Sequence, residues 1–210
     1  MKFIPVILAF MLITPAMAAD VNIPSKVWED KLQFVMAVGN SYGAKTHGLI
    51  IKDPTEGSSP VSQLFINEKC NFYVAVNNNS RMLNLIFSDT EIKDIPDLIL
   101  ALEAHELGHC LTHIKSHVDV LKETTAQRIL DERAQDIFAL VFIQQYNPNK
   151  FDIVTKFFNH IRNDPEFSYD TLHKSFNYNS VAPAIKTLAV NYTPYEISRF
   201  FVYGEALPKL

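Results

Sequence analysis

The sequence predicts an α+β fold in which a small antiparallel sheet packs on a helical core. Three observations predict it. Apolar residues recur at helical spacing over 25–40, short turn-bounded runs rich in β-branched and aromatic residues fill 47–87, and two long apolar stretches, 96–113 and 120–146, return to helical period.

The elements follow in order. Residues 1–18 read as a secretory signal peptide: Lys2 is the positive start, Phe3 to Thr14 is almost wholly apolar, and Ala16-Met17-Ala18 offers small residues at the cleavage-site positions. That apolar stretch, about 16 residues with two prolines, falls short of the roughly 20 that span a bilayer. The expectation is a cleaved signal, a periplasmic or secreted destination, and one mature domain, 19–210, with no membrane span. Ser25 can cap the first helix, with Val27, Leu32, Val35, Ala37 and Val38 as its apolar positions. Residues 47–52, 63–67, 70–76 and 82–87 read as strands. Asp53-Pro54, Gly57-Ser58-Ser59-Pro60 and Asn77-Asn78-Asn79-Ser80 mark turns between them. Asn147-Pro148 stops the second long helix. Three short helices are expected beyond it, the last opened by the capping box Thr193-Pro194-Tyr195-Glu196.

With 210 residues, a net charge of −4 and 20% charged residues, the chain has the composition of an ordinary globular domain. Lys and Arg gather into no basic stripe, so nucleic acid is not an expected partner. Cys70 and Cys110 are the only cysteines. An oxidising compartment permits a bridge between them, closing a loop of about 40 residues and stabilising by about 3–4 kcal/mol; two buried thiols are the alternative.

The chemistry concentrates in His105-Glu106-Leu107-Gly108-His109, inside the helical run from Leu98 to Cys110. Residues four apart on a helix are separated by about 40° and about 6 Å, so both imidazoles leave one face. Two histidines so placed can share a tetrahedral zinc, with Glu106 beside them as general base on a bound water. Cys110 lies about 100° round the helix from His109, so its sulfur turns from that face.

A catalytic zinc wants a third protein ligand. His113 lies about 12 Å along the axis from His105, too far to share the ion. Lys115 stands where the metzincin pattern needs histidine. His117 could approach only through a tight reversal for which no glycine is available. Glu132, on the following helix, is the remaining candidate. Asp136 stands four residues on, on the same face as Glu132, beside the apolar Ile129, Ala134, Ile137, Phe138, Val141 and Phe142. Buried carboxylates need partners: a zinc would satisfy Glu132, and the ring N–H of a ligating histidine would satisfy Asp136. A solvated surface cluster of Asp131, Glu132 and Arg133 is the plainer alternative.

His105, Glu106, His109, Glu132 and Asp136 resemble, residue by residue, the arrangement of the gluzincin metallopeptidases, which pair HExxH on one helix with Glu-x-x-x-Asp on the next. Length and signal look more like the minimal HtpX-like members; the zinc site looks thermolysin-like. The resemblance covers about residues 94–145. It implies a helical zincin core, one Zn2+ per chain, and an exported metalloendopeptidase acting on a peptide or protein substrate. It also implies a C-terminal His, Tyr or Arg to stabilise the oxyanion, for which His173, Tyr195 and Arg199 are candidates. The 70–76 strand, followed by 82–87, is the expected sheet edge for an extended substrate. The competing expectation is a zinc-binding, non-proteolytic assembly or interaction protein, which would have no use for Glu106.

Overall fold

A computed structural model describes residues 23–51, 61–66, 68–75, 86–87, 90–116, 124–163 and 176–209. The expected signal peptide, His117, His173 and most of the 82–87 run lie outside the described residues.

Helix α1 spans Ser25–Ser41 and buries Trp28, Leu32, Val35 and Val38, the stripe its spacing dictates. Ser25 does not cap it. Pro24 takes the cap position without a side-chain bond, and Ser25 is the first helical residue.

Strands β1 (Thr46–Ile51), β2 (Val61–Ile66) and β3 (Lys69–Ala75) form a sheet of order β1-β3-β2. In β3, Cys70, Phe72 and Val74 are buried while Lys69 is exposed, the alternation of a strand with one face on the core. The sheet is mixed rather than antiparallel. The two-residue link from Ile66 to Lys69, with Glu68 at φ 60°, forces β2 and β3 antiparallel. β1 instead runs parallel to β3, pairing Thr46 with Cys70 and Leu49 with Tyr73. A second correction follows: β3 is the central strand, so both its backbone edges are taken and it cannot offer an edge to a substrate. Among the described residues the edges are β1 and β2. Of the 82–87 run, Ile86 is helical and Phe87 lies in a turn, both buried against the core.

A 3-10 turn (Ile92–Asp94) leads into α2, Ile95–Ser116. Leu98, Ile99, Leu100, Ala101, Ala104, Leu107, Cys110 and Leu111 are all buried, so this helix is apolar nearly all round and sits at the centre of the domain. On one side it meets α1 and β2; on the other it meets α3, Thr125–Tyr146. Thr124 and Gln127 start α3 with a capping box that the sequence reading, beginning the helix at 120, passes over. The Lys150 ammonium joins buried Asp94 (2.8 Å) to Asp97 (3.2 Å), and the Asn147 amide donates to Asp97 at 2.8 Å. The start of α2 is thereby pinned to the end of α3. The Cys70–Cys110 disulfide, with Cα atoms 5.8 Å apart, ties β3 to α2 directly behind His109.

Helices α4 (Phe151–Asn163), α5 (Ala182–Leu188) and α6 (Pro194–Tyr203) are the three short helices expected, and α6 opens on the Thr193–Glu196 capping box. No helix among the described residues is long and apolar enough to cross a membrane.

Candidate metal centre

Antiparallel packing of α2 on α3 brings His105 and His109 against Glu132. Close approach is possible because residue 108 is glycine: a Cβ there would lie 2.3 Å from Gln135 Oε1 and 3.1 Å from Phe138 Cγ. His105 Nε2 and His109 Nε2 face one another at 3.1 Å. Glu132 supplies Oε2 at 3.3 Å from His105 Nε2 and Oε1 at 3.5 Å from His109 Nε2. Ligand atoms around a tetrahedral zinc with bonds of about 2.0–2.1 Å are about 3.3 Å apart. The two nitrogens stand close to that edge length and each has a different Glu132 oxygen near it; with one atom from each residue within 4.8 Å of the others, the three side chains could hold a metal ion.

Both imidazoles are oriented from behind. Asp136 Oδ1 lies 2.8 Å from His105 Nδ1, and Asp131 Oδ2 lies 2.8 Å from His109 Nδ1. When each neutral ring donates its Nδ1–H to its carboxylate, each Nε2 is left as a bare lone pair. Two lone pairs and a carboxylate then converge on one point, which only a cation relieves.

The proton affinities express the same demand for positive charge. Burial works against a charged His105, but the Asp136 and Glu132 carboxylates overcome it and hold the imidazole at about 9. His109 is also held well above its ordinary value, burial again opposing and Glu132 and Asp131 prevailing. Glu106, half-buried on the next position of α2, has its carboxyl pushed up by burial, while both imidazoles pull it back. Raised carboxyls of this kind suit proton transfer near neutral pH.

Asp136 is wholly buried and carries more than His105. Its Oδ2 accepts from Arg162 Nε at 2.8 Å and from the Tyr178 hydroxyl, and its Oδ1 accepts from Arg162 Nη2 at 2.7 Å. Burial alone would raise its pKa; the Arg162 guanidinium and His105 hold it well below the usual carboxylate range. Asp131 is held by a neutral group, Gln135 Nε2 at 2.8 Å, which also reaches Thr112 Oγ1 at 3.2 Å.

The structure thus brings together His105, Glu106, His109, Glu132 and Asp136. Arg199 is engaged elsewhere, with Glu205 and the Tyr203 ring, and Tyr195 lies under the Lys115 ammonium at 4.3 Å. Sequence reasoning missed Asp131, Arg162 and Tyr178. Asp131 had a signal: if His105 needs an orienting carboxylate, so does His109, and an aspartate stands immediately before Glu132. Arg162 and Tyr178 had none, being 26 and 42 residues from Asp136. The chain matches no known family, no curated protein and no solved structure.

Proposed function

We propose that this chain is an exported zinc-dependent metalloendopeptidase with a gluzincin-type site. The observation that carries the reading is the convergence of His105 Nε2, His109 Nε2 and the Glu132 carboxylate within 4.8 Å of one another, with Glu106 next to them on α2. Two imidazoles and a carboxylate suit zinc, leaving its fourth position for water or substrate. Zinc bound there would supply Lewis-acid activation of water and of a peptide carbonyl. Glu106 takes the water proton and delivers it to the leaving amine, a role its burial-raised carboxyl fits. His105, His109 and Glu132 hold the ion, and Asp136 and Asp131 keep each imidazole's Nδ1–H turned away from it. The Cys70–Cys110 disulfide supports an oxidising compartment and with it the export reading.

The test is zinc analysis and peptide cleavage on wild type and Glu106→Gln. One zinc per chain is expected in both, with cleavage lower in the variant by about 10²–10⁴-fold. Equal cleavage by both proteins overturns the role of Glu106. A zinc-loaded wild type that cleaves no peptide leaves a purely structural metal site instead. Absence of stoichiometric zinc overturns the metal centre.

A further inference from the structure

The two helices that carry the ligands do not by themselves hold Asp136 in place. Its carboxylate receives four donors: His105 Nδ1 and Arg162 Nη2 on Oδ1, Arg162 Nε and the Tyr178 hydroxyl on Oδ2. The guanidinium grips both oxygens, and a two-point grip fixes the plane of the carboxylate as well as its position. Arg162 comes from the last turn of α4, and Tyr178 opens the 3-10 turn Tyr178–Ser180. Tyr178 is itself held. The Asn159 side chain, one turn before Arg162, accepts from the Tyr178 backbone N–H at 2.9 Å, and the Tyr178 ring packs on Phe158 and Phe176.

We propose that Arg162 and Tyr178 are positioning residues of the metal centre. They lock Asp136, Asp136 locks the His105 ring, and the segment from α4 to Tyr178 becomes part of what sets metal affinity. The inference rests on reading His105, His109 and Glu132 as metal ligands, and it does not depend on peptidase activity. The chemistry favours this over plain structural support. A buried carboxylate with one donor can pivot about its own bond; with both oxygens saturated it cannot. Rotation of Asp136 would release the Nδ1–H that fixes which way His105 Nε2 points.

The test is a double-mutant cycle on the full chain, with zinc affinity read by competition against a chromophoric chelator at constant pH. Arg162→Lys keeps the charge but loses the two-point grip, and zinc binding should weaken by about tenfold, the lower end for groups behind a ligand. Tyr178→Phe should weaken it by roughly threefold, having removed one donor of four. In an Asp136→Asn background both substitutions should change affinity by less than about twofold, because the link they act through is already broken. Bound cobalt should show shifted visible absorption in Arg162→Lys and not in Lys150→Met, which loosens the far end of the same helix pair. Unchanged affinity in both variants, or an equal loss in both backgrounds, overturns the inference and leaves only a structural role. Should Arg162→Lys fail to fold, Tyr178→Phe carries the cycle alone. A wild type that takes up neither zinc nor cobalt overturns the metal centre itself, which is a separate failure.

Discussion

The two histidines of the centre are chemically alike and four residues apart, yet they are held by different parts of the molecule. The His105 side is buried and balanced in charge: Asp136 is matched by Arg162, and its partners reach as far along the chain as Tyr178. The His109 side is slightly more open, and its described partners come from α2 and α3. Asp131 is held there by the Gln135 amide, and among the described residues no Lys or Arg pairs with it. A wholly buried carboxylate such as Asp136 must have its charge answered within the protein, whereas Asp131, 13% exposed, can leave a small part of that to water. The same ligand geometry is therefore supported in two ways, and the two should fail differently.

The largest difference should come from removing the two aspartates. Asp136→Ala strands the Arg162 guanidinium, whose side chain is only 12% exposed, and breaking such a pair costs about 3–5 kcal/mol. Asp131→Ala leaves the His109 imidazole still paired with Glu132, 3.5 Å away, and the loss should be about 1 kcal/mol, the worth of a hydrogen bond. Each should also weaken zinc by roughly 10–100-fold through the histidine it releases. Urea unfolding of the metal-free variants measures the first quantity and chelator competition the second. Equal stability losses would erase the contrast in charge balance.

A pH series on the metal-free protein is the next test. His105 is held at about 9 against an ordinary 6.5, so the folded state binds its proton more tightly than the unfolded chain does. That stability is complete below about pH 6.5 and is lost as pH rises through about 9, a span worth roughly 3 kcal/mol. The Tm of metal-free protein should therefore fall by roughly 5–10 °C across that window. Zinc-loaded protein should stay nearly level there, because the ion then supplies the positive charge. Asp136→Asn should shrink the share that belongs to His105, and Asp131→Asn the share that belongs to His109, Glu132 keeping part of each. A Tm that rises with pH through this range in the metal-free protein would sink the account of the site as a trap for positive charge.

How much of this was legible in the chain depends on how local each part is. His105, Glu106 and His109 lie within one and a half turns, so helical spacing alone places them together. Glu132 and Asp136 are again four apart on one helix, and the need for a third ligand and an orienting carboxylate singles them out. The Cys70–Cys110 bridge could be anticipated because only one pairing of two cysteines exists. Strand positions emerged within a residue or two at most ends, since Cys70, Phe72 and Val74 alternate as a half-buried strand must. Their order did not, because a strand's own pattern says which face is buried and nothing about which neighbour it pairs with. Thus β3, read as an edge, is central, and β1 pairs with it in parallel. Arg162 and Tyr178 were invisible for the same reason: only tertiary packing delivers them to Asp136.

The smallest expected effect isolates the His109 side. Gly108→Ala puts a methyl where Gln135 Oε1 stands, 2.3 Å from the ideal position, with Phe138 Cγ at 3.1 Å on the other side. The flexible amide, not the ring or the backbone, is what yields. Moving it costs its bonds to Asp131 at 2.8 Å and Thr112 at 3.2 Å. Crowding of this kind costs about 1–3 kcal/mol, and alanine returns up to about 1 kcal/mol over glycine within a helix, so the net loss should be about 1 kcal/mol. Zinc affinity should fall by a few-fold, since Asp131 loses its clamp while the Asp136 network is untouched. The decisive comparison is Gly108→Ala made together with Gln135→Ala. Only Phe138 Cγ, at 3.1 Å, then crowds the methyl, so adding Gly108→Ala to Gln135→Ala should cost much less stability than Gly108→Ala does alone. The weakened zinc binding should persist, because Asp131 still lacks Gln135. If affinity recovers along with stability, Gln135 only fills space between α2 and α3, and the His109 side ends at Asp131.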